Sequence, residues 1–315
     1  MNNNELPRIT IQSVNISVNK GTIKRPVNSI NLIAGGVEGD AHVGSGIREV
    51  SFLGVESIEK FEKENSQKIK YGEFAENITT SGLLLYKTHP LDKLISDVAE
   101  LEITQIGKEC HGASCTIFKE TGNCIMPKEG IFCRVIKPGI LKPGMELIYE
   151  PKIFAIHIIT LSDRASRGEY EDKSGPHIKE LLEKFFTIQN SLFNIQYSLI
   201  PDNPDKLRSL LLKDREDKTD IIFTTGGTGI GPRDFTPDVI KSLLDKEIPG
   251  IMEIIRIKYG AEKPNALVSR SIAGVIGQSL IFSLPGSIRA VDEYMTEILK
   301  SLIHLIYMLH GLDRH

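Results

Sequence analysis

Long apolar runs are missing from this chain of 315 residues. No stretch approaches the roughly 18 consecutive apolar residues that a membrane-spanning helix needs. Even the apolar C-terminal segment is interrupted by Lys300 and His304, so no membrane partner is expected. The opening residues, Met1 to Pro7, are polar and lack the basic start and apolar stretch of a secretory signal. An excess of charge is missing too. With 38 basic and 41 acidic residues the formal net charge is −3, which supplies no broad positive field for a phosphate backbone and argues against nucleic acid as a partner. Cysteine is scarce: Cys110, Cys115, Cys124 and Cys133 are the whole complement, all within one stretch. The expected setting is a reducing cytoplasm, where thiols serve as free groups, metal ligands or catalytic sulfur rather than structural disulfides. No internal repeat or low-complexity tract is present. What remains, 40% hydrophobic and 25% charged residues, is ordinary globular material, long enough for two buried cores.

The two halves have different rhythms. Up to about Glu150 the chain offers short β-like runs (Arg8 to Val18, Glu49 to Leu53, Glu100 to Ile106, Phe132 to Ile136), punctuated by Gly35–Gly36, Gly44 to Gly46 and two Lys-Pro-Gly turns. Only Val55 to Glu64 reads as a helix. That pattern predicts a β-rich barrel or sandwich over residues 8–148. After Pro151, apolar strands alternate with amphipathic helices, as in a doubly wound, mostly parallel α/β sheet covered on both faces. Strands are expected at 153–161, 194–200, 220–225, 271–276 and 279–284. Helices are expected at 174–186, 204–213, 237–244, 250–260 and 287–310. Asn203–Pro204 and Thr236–Pro237 each look like an N-cap side chain followed by proline at the first helical position. The second domain is expected over residues 152–315.

The most informative segment runs from Asp220 to Asp238. A buried strand ends at Thr224–Thr225, the glycines Gly226, Gly227 and Gly229 permit tight turning, and a helix opens at Thr236. Glycines remove Cβ atoms and admit positive φ, so successive N–H groups, with Thr225 and Thr228 beside them, could converge on a phosphate or a pterin oxygen. The string is neither a P-loop nor a dinucleotide fingerprint. A plain tight connection is the alternative reading. Asp202, at the end of a predicted strand, and Asp234, just past the glycines, are carboxylates beyond the ends of strands, where ligands of an open parallel sheet sit. The alternatives are an Asx turn before Pro204 for Asp202, and a solvated acid or an ion pair with Arg233 for Asp234. Ser162, Asp163 and Arg164 leave the first strand where a ligand could be hydrogen-bonded, a pterin under the family resemblance given below, or form a capped turn. Pro285, Gly286 and Ser287 open the last helix and could meet a ligand or merely cap it.

Taken together, Thr224 to Pro237, Leu161 to Tyr170, Pro201–Asp202, Leu267-Val-Ser-Arg270 and Leu284 to Ser287 resemble the molybdopterin adenylyltransferase family, which includes the gephyrin G domain. The resemblance implies a doubly wound α/β domain, usually trimeric, and a reaction that joins AMP from ATP to the terminal phosphate of molybdopterin with Mg²⁺ assistance. It implies Asp202 and Asp234 for the transfer and its metal. The partners it implies are ATP and molybdopterin, then a molybdenum insertion enzyme or molybdoenzymes. A pterin-binding scaffold without turnover and a nucleotide pyrophosphatase of the competence-damage type are the competing readings. The paired aspartates count against the first, and the Gly-Pro-Arg-Asp continuation against the second.

In the other half, Gly36 to His42, Gly72 to Gly82 and Val98 to Cys110 resemble the MOSC domain, a β-rich fold associated with sulfuration of the molybdenum cofactor and with detoxifying reductases. The departures are the absence of a glycine around Pro90 and the Gly144-Met-Glu sequence, which leave strand pairing there open. The resemblance places Cys110 as the functional thiol. Lys108 and His111 flank it, as a stabilised thiolate needs, although an inert core cysteine is the alternative. His111 with the cysteines could hold zinc or an iron cluster, but no Cys-x-x-Cys knuckle is present. His42 reads as a loop hydrogen-bonder or a ligand.

Overall fold

The structure is a computed structural model that describes residues 6–109 and 124–312. The expectations for Cys110, His111 and Cys115 therefore lie outside the described residues. The chain divides into two compact units, one ending at Lys152 and the other running from Ile153 to Gly311.

The first unit contains β1 (Arg8–Ile16), β2 (Arg25–Val27), β3 (Ile30–Ile33), β4 (Gly36–Val37), β5 (Val50–Gly54), α1 (Val55–Asn65), β6 (Ile78–Ser81), β7 (Lys93–Ile95), β8 (Glu100–Ile106), α2 (Met126–Glu129), β9 (Ile131–Lys137), β10 (Gly139–Leu141) and β11 (Glu146–Glu150). Its main sheet runs β11-β7-β8-β9-β5-β6-β1-β2, and β11 also pairs with β1, so the sheet closes into a barrel. Only the β5–β6 pair is parallel. Alternation sets the faces: Ile9 and Ile11 of β1 point into the core with Leu94, Leu101, Ile103 and Leu147, while Arg8 stays outside. Around Pro90 and Gly144 the pairing is regular, because β7 lies between β8 and β11 with Leu94 opposite both Leu101 and Tyr149. A polar cluster is also enclosed. Lys24 and Asp40 form a buried ion pair, and Asn77 Nδ2 donates to Asp40 Oδ2 at 3.1 Å. Burial alone would push the Asp40 carboxyl up, but His42, Lys24 and the Lys24 charge hold it well below its usual range. His42 is thus a hydrogen-bonding partner of Asp40, 3.1 Å away.

The second unit contains β12 (Ile153–Leu161), α3 (Asp163–Ser166), α4 (Ser174–Ile188), β13 (Leu192–Ile200), α5 (Pro204–Glu216), β14 (Ile221–Thr225), α6 (Thr236–Lys241), β15 (Lys246–Glu247), α7 (Pro249–Gly260), β16 (Ala273–Ile276), β17 (Ser279–Leu284) and α8 (Ile288–Leu309). The sheet runs β13-β12-β14-β17-β16-β15, parallel through β17 and antiparallel beyond it. Both faces are covered, which is why β12 reads as a nearly unbroken apolar run, interrupted by His157, and β14 is buried throughout. On one face Ile159, Leu161 and Ile222 meet Leu207 and Leu211 of α5 and Ile240 of α6. On the other, α4 packs on β12 and against α8, with Phe186 between Phe154 and Phe193. From β12 the chain builds outward to β13 on one side and to β14 on the other. The order therefore reverses at β12, and a crevice opens beyond its carboxyl end.

Two expectations need correction. Asn203 caps α5, accepting from Lys206 N at 2.9 Å, but Thr236 does not cap α6. It lies inside the helix, and its buried Oγ1 has no hydrogen-bond partner among the described residues. The helix begins one residue earlier than a Thr236 cap would set it: Phe235 is the N-cap, Val239 N donates to Phe235 O at 3.0 Å, and the Thr236 N–H is taken by Gly227 O at 3.1 Å. Helix α6 also stops at Lys241 rather than near 244, because Asp245 N donates to Val275 O at 2.8 Å and draws the chain into the sheet. Among the described residues no helix is long and apolar enough to cross a membrane.

Candidate active site

At the reversal point a cavity of about 360 Å³ is lined by Ser162, Asp163, Arg164, Tyr170, Asp202, Gly227, Arg233 and Asp234, with Leu161, Gly231 and Pro232. It joins the ends of β12 and β13 to the loop that follows β14. That loop needs its first glycine. Gly226 has φ +102°, and a Cβ there would stand 2.4 Å from Leu161 O, so only glycine lets the chain cross the end of β12. A Cβ on Gly229 would lie 2.6 Å from Asp234 Oδ2: the Asp234 carboxylate tucks against the loop and accepts from Gly231 N at 2.8 Å.

The carboxylates have separate tasks. Asp202 Oδ2 accepts from Asp163 N at 3.2 Å, and Asp163 Oδ1 accepts from Asp202 N at 3.0 Å, a reciprocal pair that locks two strand ends together. The other oxygen of Asp163 takes Arg233 Nη1 at 3.2 Å. Arg233 therefore pairs with Asp163, and the helix start at Pro204 is capped by Asn203 rather than by an Asx turn of Asp202. Asp202 and Asp234 each engage Oδ2 with a backbone N–H. Ser162 caps α3 by accepting from Ala165 N at 3.2 Å and meets Tyr170 Oη at 2.9 Å. Arg164 lies over the Tyr170 ring, 5.1 Å from its centroid.

Pro285, Gly286 and Ser287 reach the same loop from another direction. Gly226 N donates to Leu284 O at 3.0 Å, and Thr225 Oγ1 donates to Pro285 O at 3.0 Å. A second cavity, about 330 Å³, lies here, lined by Thr228, Gly229, Lys263, Pro285, Ser287, Arg289 and Tyr294 among others. The candidate residues thus fall into two cavities: one holds the 162–164 corner with Gly227 and both aspartates, and the other holds Thr228, Gly229, Pro285 and Ser287. Thr225, Gly226 and Gly286 form the junction. Ser287 also caps α8, accepting from Ala290 N at 3.4 Å.

Sequence reasoning missed Asp172. Its Oδ2 accepts from Thr160 Oγ1 (2.8 Å), Tyr197 Oη (2.7 Å) and Gly175 N (3.1 Å), and its Oδ1 accepts from Ser174 N at 3.0 Å. Burial and this carboxylate push the Tyr197 phenol well above its ordinary value. Ser174 in turn donates to Gly286 O at 2.7 Å, tying the start of α4 to the 285–287 corner. The available signal was an Asp two residues before a helix start. Among the described residues no three His, Cys, Asp or Glu side chains converge as a metal cage. Cys133 is buried and Cys124 half-buried, and among the described residues neither forms a disulfide.

The family model described as "Probable molybdopterin binding domain" matches residues 157–304. The chain is 38% identical over 161 residues to the molybdopterin adenylyltransferase of Pyrococcus furiosus, a match covering 50% of this chain and 91% of that protein. It is 34% identical over 157 residues to the molybdopterin adenylyltransferase of Helicobacter pylori strain J99, covering 50% of this chain and 88% of that one. Gephyrin of Dictyostelium discoideum is 35% identical over 162 residues, but the match spans only 22% of its length. With the length of two such enzymes nearly spanned, and the shared half folded around a glycine loop and a crevice at the point of strand reversal, this chain belongs to the molybdopterin adenylyltransferase family.

Proposed function

We propose that the unit from Ile153 to Gly311 adenylylates molybdopterin in the synthesis of the molybdenum cofactor. An oxygen of the terminal molybdopterin phosphate attacks the α-phosphorus of ATP, the bond to the β-phosphate breaks, and pyrophosphate leaves. The observation that carries this reading is that Asp202 and Asp234 line one cavity beside the glycine loop. Bringing two phosphates together opposes negative charges, so the site must position them and neutralise them. Asp163 and Asp202 fix each other through backbone N–H groups, and Asp234 fixes the loop through Gly231. Arg164 and Arg233 contribute positive charge on the same wall. An all-oxygen set from two carboxylates suits Mg²⁺, which keeps water and substrate phosphate in its shell. Held by Asp202 and Asp234, it would supply charge neutralisation at the phosphates. Two cavities on either side of one loop suit two substrates, ATP and molybdopterin.

The N-terminal barrel is proposed to be a MOSC-type unit that handles sulfur or cofactor for the same pathway, with Cys110 as its thiol. The Gly36 to His42 motif supports this, since Asp40 and His42 of that motif are joined in the enclosed polar cluster. A cytoplasmic homotrimer serving a molybdenum insertion enzyme or a molybdoenzyme completes the proposal. The exposed apolar residues Ile254, Ile257, Leu267 and Val268 give such an assembly a surface to bury. The test is incubation with molybdopterin, ATP and Mg²⁺, followed by mass analysis. Adenylylated pterin and pyrophosphate are expected, and authentic substrate returned unchanged would remove the reading.

A further inference from the structure

The Leu267-Val-Ser-Arg270 segment has no task in the reaction as described so far, yet its arginine is bound up with the glycine loop. Arg270 stands ahead of β16 and does not line the Asp202–Asp234 cavity. Its backbone N–H donates to Thr228 O at 2.9 Å. Its side chain then reaches three places at once. Nε donates to Gly229 O at 2.8 Å, Nη2 donates to Asp234 O, and Nη1 donates to both oxygens of Asp238 at 2.9 and 3.0 Å. One residue therefore holds the loop near its beginning, at the residue that carries the proposed metal carboxylate, and at the first turn of α6.

We infer that Arg270 is the positioning residue of the transfer site: its guanidinium is the clamp that fixes the 228–234 loop, and with it Asp234, in the geometry the adenylyl transfer requires. Within the loop, Asp234 N donates to Gly231 O at 3.0 Å and Asp234 Oδ2 accepts from Gly231 N. These bonds are internal to the loop and do not fix it to the rest of the fold. The outside anchors are Thr236 N to Gly227 O at its end, the ion pair of the largely exposed Arg233 with Asp163, and the bonds to Arg270. The guanidinium chemistry is specific to this task. A planar fork presents donors in several fixed directions at once, whereas an ammonium is a single point from which Gly229 O, Asp234 O and Asp238 cannot all be satisfied. Asp238 is the solvent side of the clamp, with 63% of its side chain exposed. Its ion pair with Arg270 is a surface pair of small worth, so the two backbone carbonyls are the essential grips.

The inference rests on the adenylyl-transfer reading for its activity arm, and its structural arm stands without it. Three variants are compared with the full-length protein: R270A, R270K and D238N. The expected result is a kcat for adenylyl transfer lowered about 10²-fold in R270A, the scale of a small misplacement in a site, with less change in KM for ATP or molybdopterin. R270K should fail to restore it, whereas added guanidinium ion at millimolar concentration should restore part of it to R270A. D238N, which keeps a carbonyl acceptor, should remain near wild type. Independently of turnover, amide hydrogen exchange across residues 227–235 should accelerate in R270A at least as much as about tenfold, while β12 and β14 amides and the melting temperature stay close to wild type. Equal loop exchange in R270A and wild type overturns the inference, as does a kcat in R270K equal to wild type. If wild type itself forms no adenylylated pterin, the functional reading falls, and the exchange measurement alone decides the role of Arg270.

Discussion

Replacing Asp234 by asparagine separates the two tasks of this carboxylate. The amide oxygen can still accept from Gly231 N, which now donates to Asp234 Oδ2 at 2.8 Å, so the loop keeps its internal bond. A hydrogen bond to a charged acceptor contributes about 1.5–3 kcal/mol and one to a neutral acceptor about 0.5–1.5, so the stability loss is about 1 kcal/mol. For a unit of this size that lowers the melting temperature by roughly 2–4 °C. The negative charge is lost entirely. Removing one electrostatic stabiliser from a transition state costs about 2.7–4 kcal/mol, a rate loss of about 10²–10³. Catalysis therefore suffers well beyond stability, and the loss should appear in the chemical step. Single-turnover formation of adenylylated pterin, the molybdopterin dissociation constant and the melting temperature, measured on the same preparation, resolve the contributions. The expected pattern is a rate down by two orders of magnitude or more, pterin affinity nearly unchanged and a slightly lower melting temperature. An unchanged single-turnover rate would show that Asp234 is only a loop-organising residue. A fall in affinity as large as the fall in rate would place it against the pterin instead of the transferring phosphate.

Gly226→Ala forces a side chain into positive φ and against Leu161 O, so a loss on the order of 3 kcal/mol should appear as a lower melting temperature with the site disabled, and a wild-type melt would contradict the loop geometry. Burial raises the Glu76 carboxyl from 4.5 to about 7. Because the folded value is the higher one, its stabilising effect is complete below about pH 4.5 and is lost as pH rises to about 7, at about 1.4 kcal/mol per pH unit. Glu76→Gln should flatten that slope in urea unfolding followed through barrel amides, and parallel slopes would refute it. Iodoacetamide should modify Cys110 before Cys133, whose thiol is fully enclosed and pushed well up by burial; faster modification of Cys133 would reverse the assignment. Residues 153–311 produced alone should fold and bind molybdopterin, and an unfolded product would show that they are not an independent domain.

The second unit was the more legible half. Strands β12 and β14 are buried on both faces and so appear as mostly apolar runs, and Asn203–Pro204 marks a helix start that needs no tertiary information. Thr236–Pro237 carries the same local signature and misleads, because the helix starts one residue earlier, with Phe235 as the N-cap and Val239 N donating to Phe235 O. In the barrel, strands such as Gly36–Val37 and Lys93–Ile95 are too short to show alternation, and one partner of Lys93–Ile95 is β11, far along the chain. Sequence distance also hid the contacts of two residues. Asp172 gathers Thr160 and Tyr197, and Arg270 gathers Gly229 and Asp234, through contacts that leave no periodic trace. Asp202 and Asp234 could be picked out because each follows a recognisable strand.

The closure of the barrel between β1 and β11 has a topological consequence. Arg8 sits opposite Ile148 and Thr10 opposite Glu146, so the polypeptide enters and leaves the barrel at neighbouring points. A module whose ends emerge side by side can be spliced ahead of another folding unit, or removed from it, without stretching either one. It also cannot be completed during synthesis until its last strand has emerged, since β11 supplies the partner that β1 and β7 both require. Until then the edges of β1 and β7 stay open, which exposes the nascent barrel to strand-mediated aggregation at that stage of synthesis.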